Sequence, residues 1–152
     1  MTGRAGIRRL AAVALSLVAG ALASGCAATP DSASGLASWA SQASFSSTVA
    51  LLRGDVRDIN AGFRLAKLRA THTACDGLGT DAASAIGQLP APDHRLTTML
   101  NAAYSGLINA AQACSDATAL SGRSVAAYKR RSVAALATLS AATARLHALE
   151  RR

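Results

Sequence analysis

The sequence predicts an all-α protein, a small antiparallel bundle of three to four helices stapled by one disulfide. Three observations carry that expectation. Of the 152 residues 38 are Ala, whereas Phe, Tyr and Trp together number five. Alanine is the strongest helix former and lets helices pack closely, although each one buries little area. Apolar residues recur at alternating spacings of four and three through three long runs, drawing one stripe along each helix. No β-like alternation of useful length appears anywhere. With 51% apolar and 16% charged residues, the chain has the means to bury a core, thin but real, within a single domain.

The N-terminal segment stands apart from this pattern. Residues 1–10 hold Arg4, Arg8 and Arg9 and no acid. Residues 11–22 form an uncharged apolar run of twelve, short of the roughly 20 that a bilayer span requires. This is the layout of an export signal, a basic region and then an apolar one. Small residues follow and then a cysteine: Leu22-Ala23-Ser24-Gly25-Cys26. This stretch resembles the lipobox of bacterial lipoproteins. The resemblance implies that the thiol of Cys26 receives diacylglycerol, that the chain is cut between Gly25 and Cys26, and that acyl chains such as palmitate hold the mature protein at the membrane. The pattern departs from the family's usual one in a single respect, Ala23 standing where Leu is favoured and Leu22 lying one place earlier. Two or more acyl chains anchor stably where one binds marginally.

The expected organisation is therefore a signal peptide over 1–25, a lipidated N-terminus and flexible tether over 26–35, and one helical bundle over 36–152. The tether, Ala27-Ala28-Thr29-Pro30-Asp31-Ser32-Ala33-Ser34-Gly35, is small, polar and broken by a proline. Residues 34–47 are too rich in Ser to predict a helix before Gln42. From there Phe45, Val49, Leu52, Val56, Ile59, Phe63, Ala66 and Ala70 share one stripe of a first long helix. Gly54 and Gly62 lie within it, each weakening it by about 1 kcal/mol relative to Ala. The segment Asp76-Gly77-Leu78-Gly79-Thr80 predicts a break, with a short helix over 81–89 after it. Pro90-Ala91-Pro92 is a firm turn. A second long helix carries Leu96, Leu100, Ala103, Leu107, Ala110, Cys114 and Ala117. Ser121-Gly122-Arg123-Ser124 makes a further turn with an N-cap at Ser121 or Ser124. The last helix uses Val125, Tyr128, Ser132, Ala135, Leu139, Ala142, Leu146 and Leu149. An antiparallel bundle buries all of these stripes at once.

Once Cys26 carries lipid, Cys75 and Cys114 remain. An exported chain meets an oxidising compartment, so this even pair is expected to form a disulfide. Measured from the Pro90 turn, fully helical paths would leave the two cysteines about 10 Å out of level. The expectation is therefore that residues 76–80 are extended if the disulfide forms.

No catalytic constellation is visible. His72-x-x-Cys75 is a single pair without further metal ligands. His94 and His147 are explained as helix-terminal residues, and Asp55 and Asp58 as partners of neighbouring arginines on a solvated helix face. There is no phosphate loop, carboxylate dyad or triad order, and neither an enzyme activity, a cofactor nor a metal is expected. Trp39, the lone tryptophan, is expected to cap the open end of the bundle.

Charge supplies the remaining functional signal. After loss of Arg4, Arg8 and Arg9, 13 of the 16 basic residues stand against 8 acids, a net +5. Residues 121–152 carry seven basic side chains against Glu150 alone. Arg123, Lys129, Arg130 and Arg131 can project outward together, either as a basic docking patch suited to an anionic leaflet, an acidic envelope protein or a wall polymer, or as a plain solvated helix face. Nucleic acid is a poor partner for an exported chain with so few aromatics to stack on bases. The expected function is that of a membrane-anchored envelope lipoprotein, on the extracytoplasmic side, acting as a binding or accessory module. The alternative is a structural spacer working through the same basic helix.

Overall fold

The computed structural model describes residues 33–119 and 122–152. The signal segment, Gly25, Cys26, most of the tether and Ser121 lie outside the described residues. Five helices and no strand occur among those described: α1 (Ala33–Gln42), α2 (Phe45–Arg64), α3 (Leu68–Ile86), α4 (His94–Ser115) and α5 (Arg123–Glu150). Helices α2 to α5 run up, down, up and down, each beside the next. Helix α1 crosses one end of the bundle, against α5 and α2. The predicted helical bundle is thus the observed one.

The core follows the predicted stripes. Phe45, Val49, Leu52, Val56 and Ile59 of α2 are buried. So are Leu96, Leu100, Ala103, Leu107, Ala110 and Cys114 of α4, and every predicted α5 position from Val125 to Leu146. Small residues let the helices close up. A Cβ on Gly106 would stand 2.9 Å from the Cβ of Ala135, so α4 and α5 meet there almost backbone to backbone.

Four boundaries differ from expectation. A helix forms over Ala33–Gln42 despite its serines, taking up the last three residues read as tether. Leu36 anchors it in the core. The ring of Trp39 lies 5.8 Å from Phe45, and its Nε1 donates to the Gln88 carbonyl at 3.1 Å, closing this end of the bundle.

The first long helix is not continuous through Ala70. It stops at Arg64 and the chain reverses over residues 65–67. Ala66 takes a left-handed conformation at φ 54. Lys67 N donates to Gly62 O at 3.1 Å and Ala66 N to Phe63 O at 3.4 Å, the two reversed bonds of a Schellman cap. No Gly or Pro announces this turn. Packing selects it, because α3 can then return along α2.

The predicted break at 76–80 is absent, since α3 runs unbroken from Leu68 to Ile86. Cys75, Leu78 and Ala82 are fully buried on its inner face, and that packing outweighs the low helix propensity of Gly77 and Gly79. Helical geometry here nevertheless coexists with the cysteine pairing: Cys75 and Cys114 are buried side by side as a disulfide pair, Cα–Cα 5.9 Å apart. The expectation that one excludes the other assumed helices ending level at Pro90. In fact Cys75 lies 11 residues before Ile86 and Cys114 lies 20 after His94, about 17 and 30 Å of helix. Helix α4 therefore begins well beyond the end of α3. The seven-residue connection 87–93 can span up to about 23 Å, enough to cover the offset. It is pinned to the first turn of α4 by Ala91 N donating to Thr97 Oγ1 at 2.9 Å and Thr97 Oγ1 donating to Ala91 O at 3.0 Å.

The last turn also differs. Gly122, at φ 102, is the residue before α5 and supplies no side-chain cap. Ser124 lies inside the helix.

Candidate docking surface

The two ends of the bundle differ in charge pairing. At the end that α1 closes, two acids each hold a basic side chain, while Arg95, Arg151 and Arg152 stay exposed outside any ion pair among the described residues. Arg145 grips Asp93 with both ends of its fork, Nε to Oδ1 and Nη2 to Oδ2, each at 2.7 Å. Asp93 Oδ1 also accepts from Leu96 N at 2.6 Å, so the same carboxylate caps α4. The Arg145 hydrogen bonds, helped by that backbone donor, hold the Asp93 carboxyl below the ordinary range. His147 meets Glu150 at 3.1 Å.

At the opposite end cations outnumber acids. Arg64 closes α2, Lys67 and Arg69 open α3, and Arg123, Lys129 and Arg130 occupy the first turns of α5; all six are exposed. None makes an ion pair with a described residue. Two contacts bring the segments together. His72 Nε2 donates to the Ala117 carbonyl at 2.8 Å, tying the start of α3 to the chain leaving α4. The Phe63 ring lies 5.5 Å from that of Tyr128, tying the end of α2 to the start of α5. Asn60, Phe63, Arg64 and Lys129 line one shallow groove between them. Two acids, Asp76 and Asp116, also lie toward this end; they accept from Ser115 Oγ at 2.9 Å and from Gln112 Nε2 at 2.8 Å and pair with none of the six cations. A surface with several cations and no matched acid projects a positive field that draws anionic partners and speeds their encounter.

The four-residue patch read from the sequence is divided by the structure. Arg123, Lys129 and Arg130 belong to this end. Arg131 does not project with them, because its Nη1 crosses to the Asn109 carbonyl of α4 at 2.9 Å. Sequence reasoning missed the contribution of Arg64, Lys67 and Arg69. With residues 65–70 assigned to one straight helix, nothing marked a corner at which the three converge.

Cys75 is paired with Cys114, and His72 is engaged by a backbone carbonyl. Among the described residues no group of three or more His, Cys, Asp or Glu side chains is arranged to hold a metal, and no helix is long and apolar enough to cross a membrane. Asp55 and Asp58 form no ion pair with a described arginine, contrary to expectation. Asp55 instead turns toward Asp81 of α3. Its Oδ2 is buried without a hydrogen-bond partner among the described residues. Burial first, then the carboxylates of Asp81 and Asp58, push its pKa up to about 6.

No protein-family model matches the chain, and neither a curated protein nor a solved structure is significantly similar to it.

Proposed function

We propose that this chain is a membrane-anchored envelope lipoprotein whose helical bundle works as a binding or accessory module, docking an anionic partner through its basic end. The order of basic region, short apolar run, small residues and cysteine over 1–26 supports the anchor. The observation that carries the docking reading is the convergence of Arg64, Lys67, Arg69, Arg123, Lys129 and Arg130 on one end without acidic partners. That end lies away from Ala33, which shares the other end with Leu149 and Arg152. A tether entering at Ala33 leaves the basic surface free.

Two measurements test the proposal. Radiolabelled palmitate should enter the wild-type chain and not the Cys26→Ser variant; equal labelling, or none in either, refutes the anchor. Cross-linking in intact cells should recover an anionic partner in near-stoichiometric yield. Loss of that product in an Arg123→Gln/Lys129→Gln/Arg130→Gln variant supports docking through this surface, and an unchanged product refutes it.

A further inference from the structure

We infer that the α2–α3 corner is a membrane-docking tip, with Leu65 as its apolar point and Arg64, Lys67 and Arg69 as its cationic collar, and that its partner is an anionic lipid surface. The inference rests on the docking reading of the basic end but does not require the lipid on Cys26.

Leu65 is 63% exposed. A solitary exposed leucine is ordinary, and its setting is what distinguishes this one. It sits on a chain reversal beside the left-handed Ala66. Exposed Ala66 and Ala70 and half-buried Leu68 extend the apolar surface, and Lys67, Leu68, Arg69, Ala70 and Thr73 form a shallow shelf that is open to solvent. Arg64, Lys67 and Arg69 surround this point within six residues, and no acid occurs from Ile59 to Cys75. Long basic side chains of this kind lay apolar stems along an apolar surface and send their charges outward to phosphate.

The shape favours lipid over protein. A protein interface of useful strength needs a broad complementary area with buried anchors, and a convex tip with one leucine offers neither. A fluid headgroup layer deforms around such a tip, takes the leucine among its acyl chains and meets the collar with phosphates. Each cation near an anionic leaflet multiplies binding about five-fold, so the collar as a whole is worth about a hundredfold. Arg123, Lys129 and Arg130 extend the same field behind the tip.

The test uses the full-length protein carrying Trp39→Phe and Leu65→Trp, reconstituted with vesicles of phosphatidylcholine alone or of phosphatidylcholine with phosphatidylglycerol. Lipids brominated on their acyl chains quench a tryptophan that enters the bilayer. The reporter at position 65 should be quenched on the anionic vesicles only. High salt should relieve the quenching. Arg64→Gln/Lys67→Gln/Arg69→Gln should relieve it too, lowering the ratio of docked to undocked tip about a hundredfold. A second reporter, Ala70→Trp, should behave alike and guards against a misfolded first one. No quenching of either reporter on anionic vesicles overturns the inference. So does equal quenching on neutral vesicles, since the collar would then contribute nothing. Cross-linking of position 65 in cells to an acidic protein, with no vesicle quenching, assigns the corner to a protein partner instead. Flotation of the protein with neutral vesicles reads the lipid anchor separately, so loss of anchoring and loss of tip docking are distinguishable.

Discussion

Gly62 offers a stringent test of how closely α2 and α3 pack. A Cβ built on it would overlap Thr71 Oγ1 and stand 3.2 Å from the Thr71 Cβ and 3.4 Å from its Cα. Thr71 has little room to yield: it is 1% exposed, and its Oγ1 donates to the Lys67 carbonyl at 2.9 Å. The corner above is itself closed by the bond from Lys67 N to Gly62 O. In an unconstrained helix Gly→Ala would stabilise by about 1 kcal/mol. Overpacking costs about 1–3 kcal/mol, and the upper part of that range applies because the clash involves a locked side chain close to backbone. Gly62→Ala should therefore destabilise by about 1–2 kcal/mol. Thr71→Ala alone removes a methyl group and a hydroxyl hydrogen bond, costing about 1–2 kcal/mol. The double variant should fall short of the sum by about 1–2 kcal/mol, since the second change makes space for the first. Urea unfolding followed by far-UV circular dichroism, with the disulfide intact, measures all three. An additive cycle, or a Gly62→Ala variant stabilised as propensity alone would have it, refutes the close approach of the helices.

Ala66→Gly should raise stability by about 1 kcal/mol, because a left-handed residue with a Cβ is strained and glycine is not; a drop in thermal midpoint would contradict the Schellman geometry. Replacing Cys75 and Cys114 together by Ala should cost about 4 kcal/mol for a sequence separation of 39, and reductant should leave this variant unaffected while destabilising the wild type. Burial lifts the folded pKa of Asp55 to about 6, above the ordinary 3.8 of an aspartate, so the native state binds its proton more tightly than the unfolded chain does. Stability should thus fall as pH rises from about 4 through 6. Asp55→Asn should remove that fall and stabilise at neutral pH by about 1 kcal/mol, a figure reduced for the group's partial exposure. Asp93 has the opposite sign. Its depressed pKa contributes stability above the unfolded carboxylate range, lost as pH falls through the folded value. Asp93→Asn keeps the cap but should flatten that acid limb in pH-dependent urea titrations.

The fold class was legible because the apolar stripes were. Leu96 to Cys114 and Val125 to Leu146 could be read residue by residue, since a helix that buries one face must repeat near 3.6. The ends of the helices were less legible. Gly77 and Gly79 looked like a break and are not one, because buried Cys75, Leu78 and Ala82 hold the helix through them. Ala66 and Lys67 looked like helix and form the corner, because alanine gives no sign that its neighbours will ask it to turn left-handed. The basic surface shared this division. Arg123, Lys129 and Arg130 were evident as a local run, whereas Arg64, Lys67 and Arg69 joined them only through the reversal, and Arg131 left them by reaching α4.

The sequence by itself determined what depends on neighbours along the chain: the helical periodicity, the net positive charge and the expectation of an exported and lipidated N-terminus. Tertiary structure alone decided where α2 stops, how far α4 overhangs α3, that Cys75 meets Cys114, why Gly is favoured at residue 62, and which cations share an end. Those outcomes turn on contacts between segments far apart in sequence, at separations of a few ångströms that periodicity does not encode.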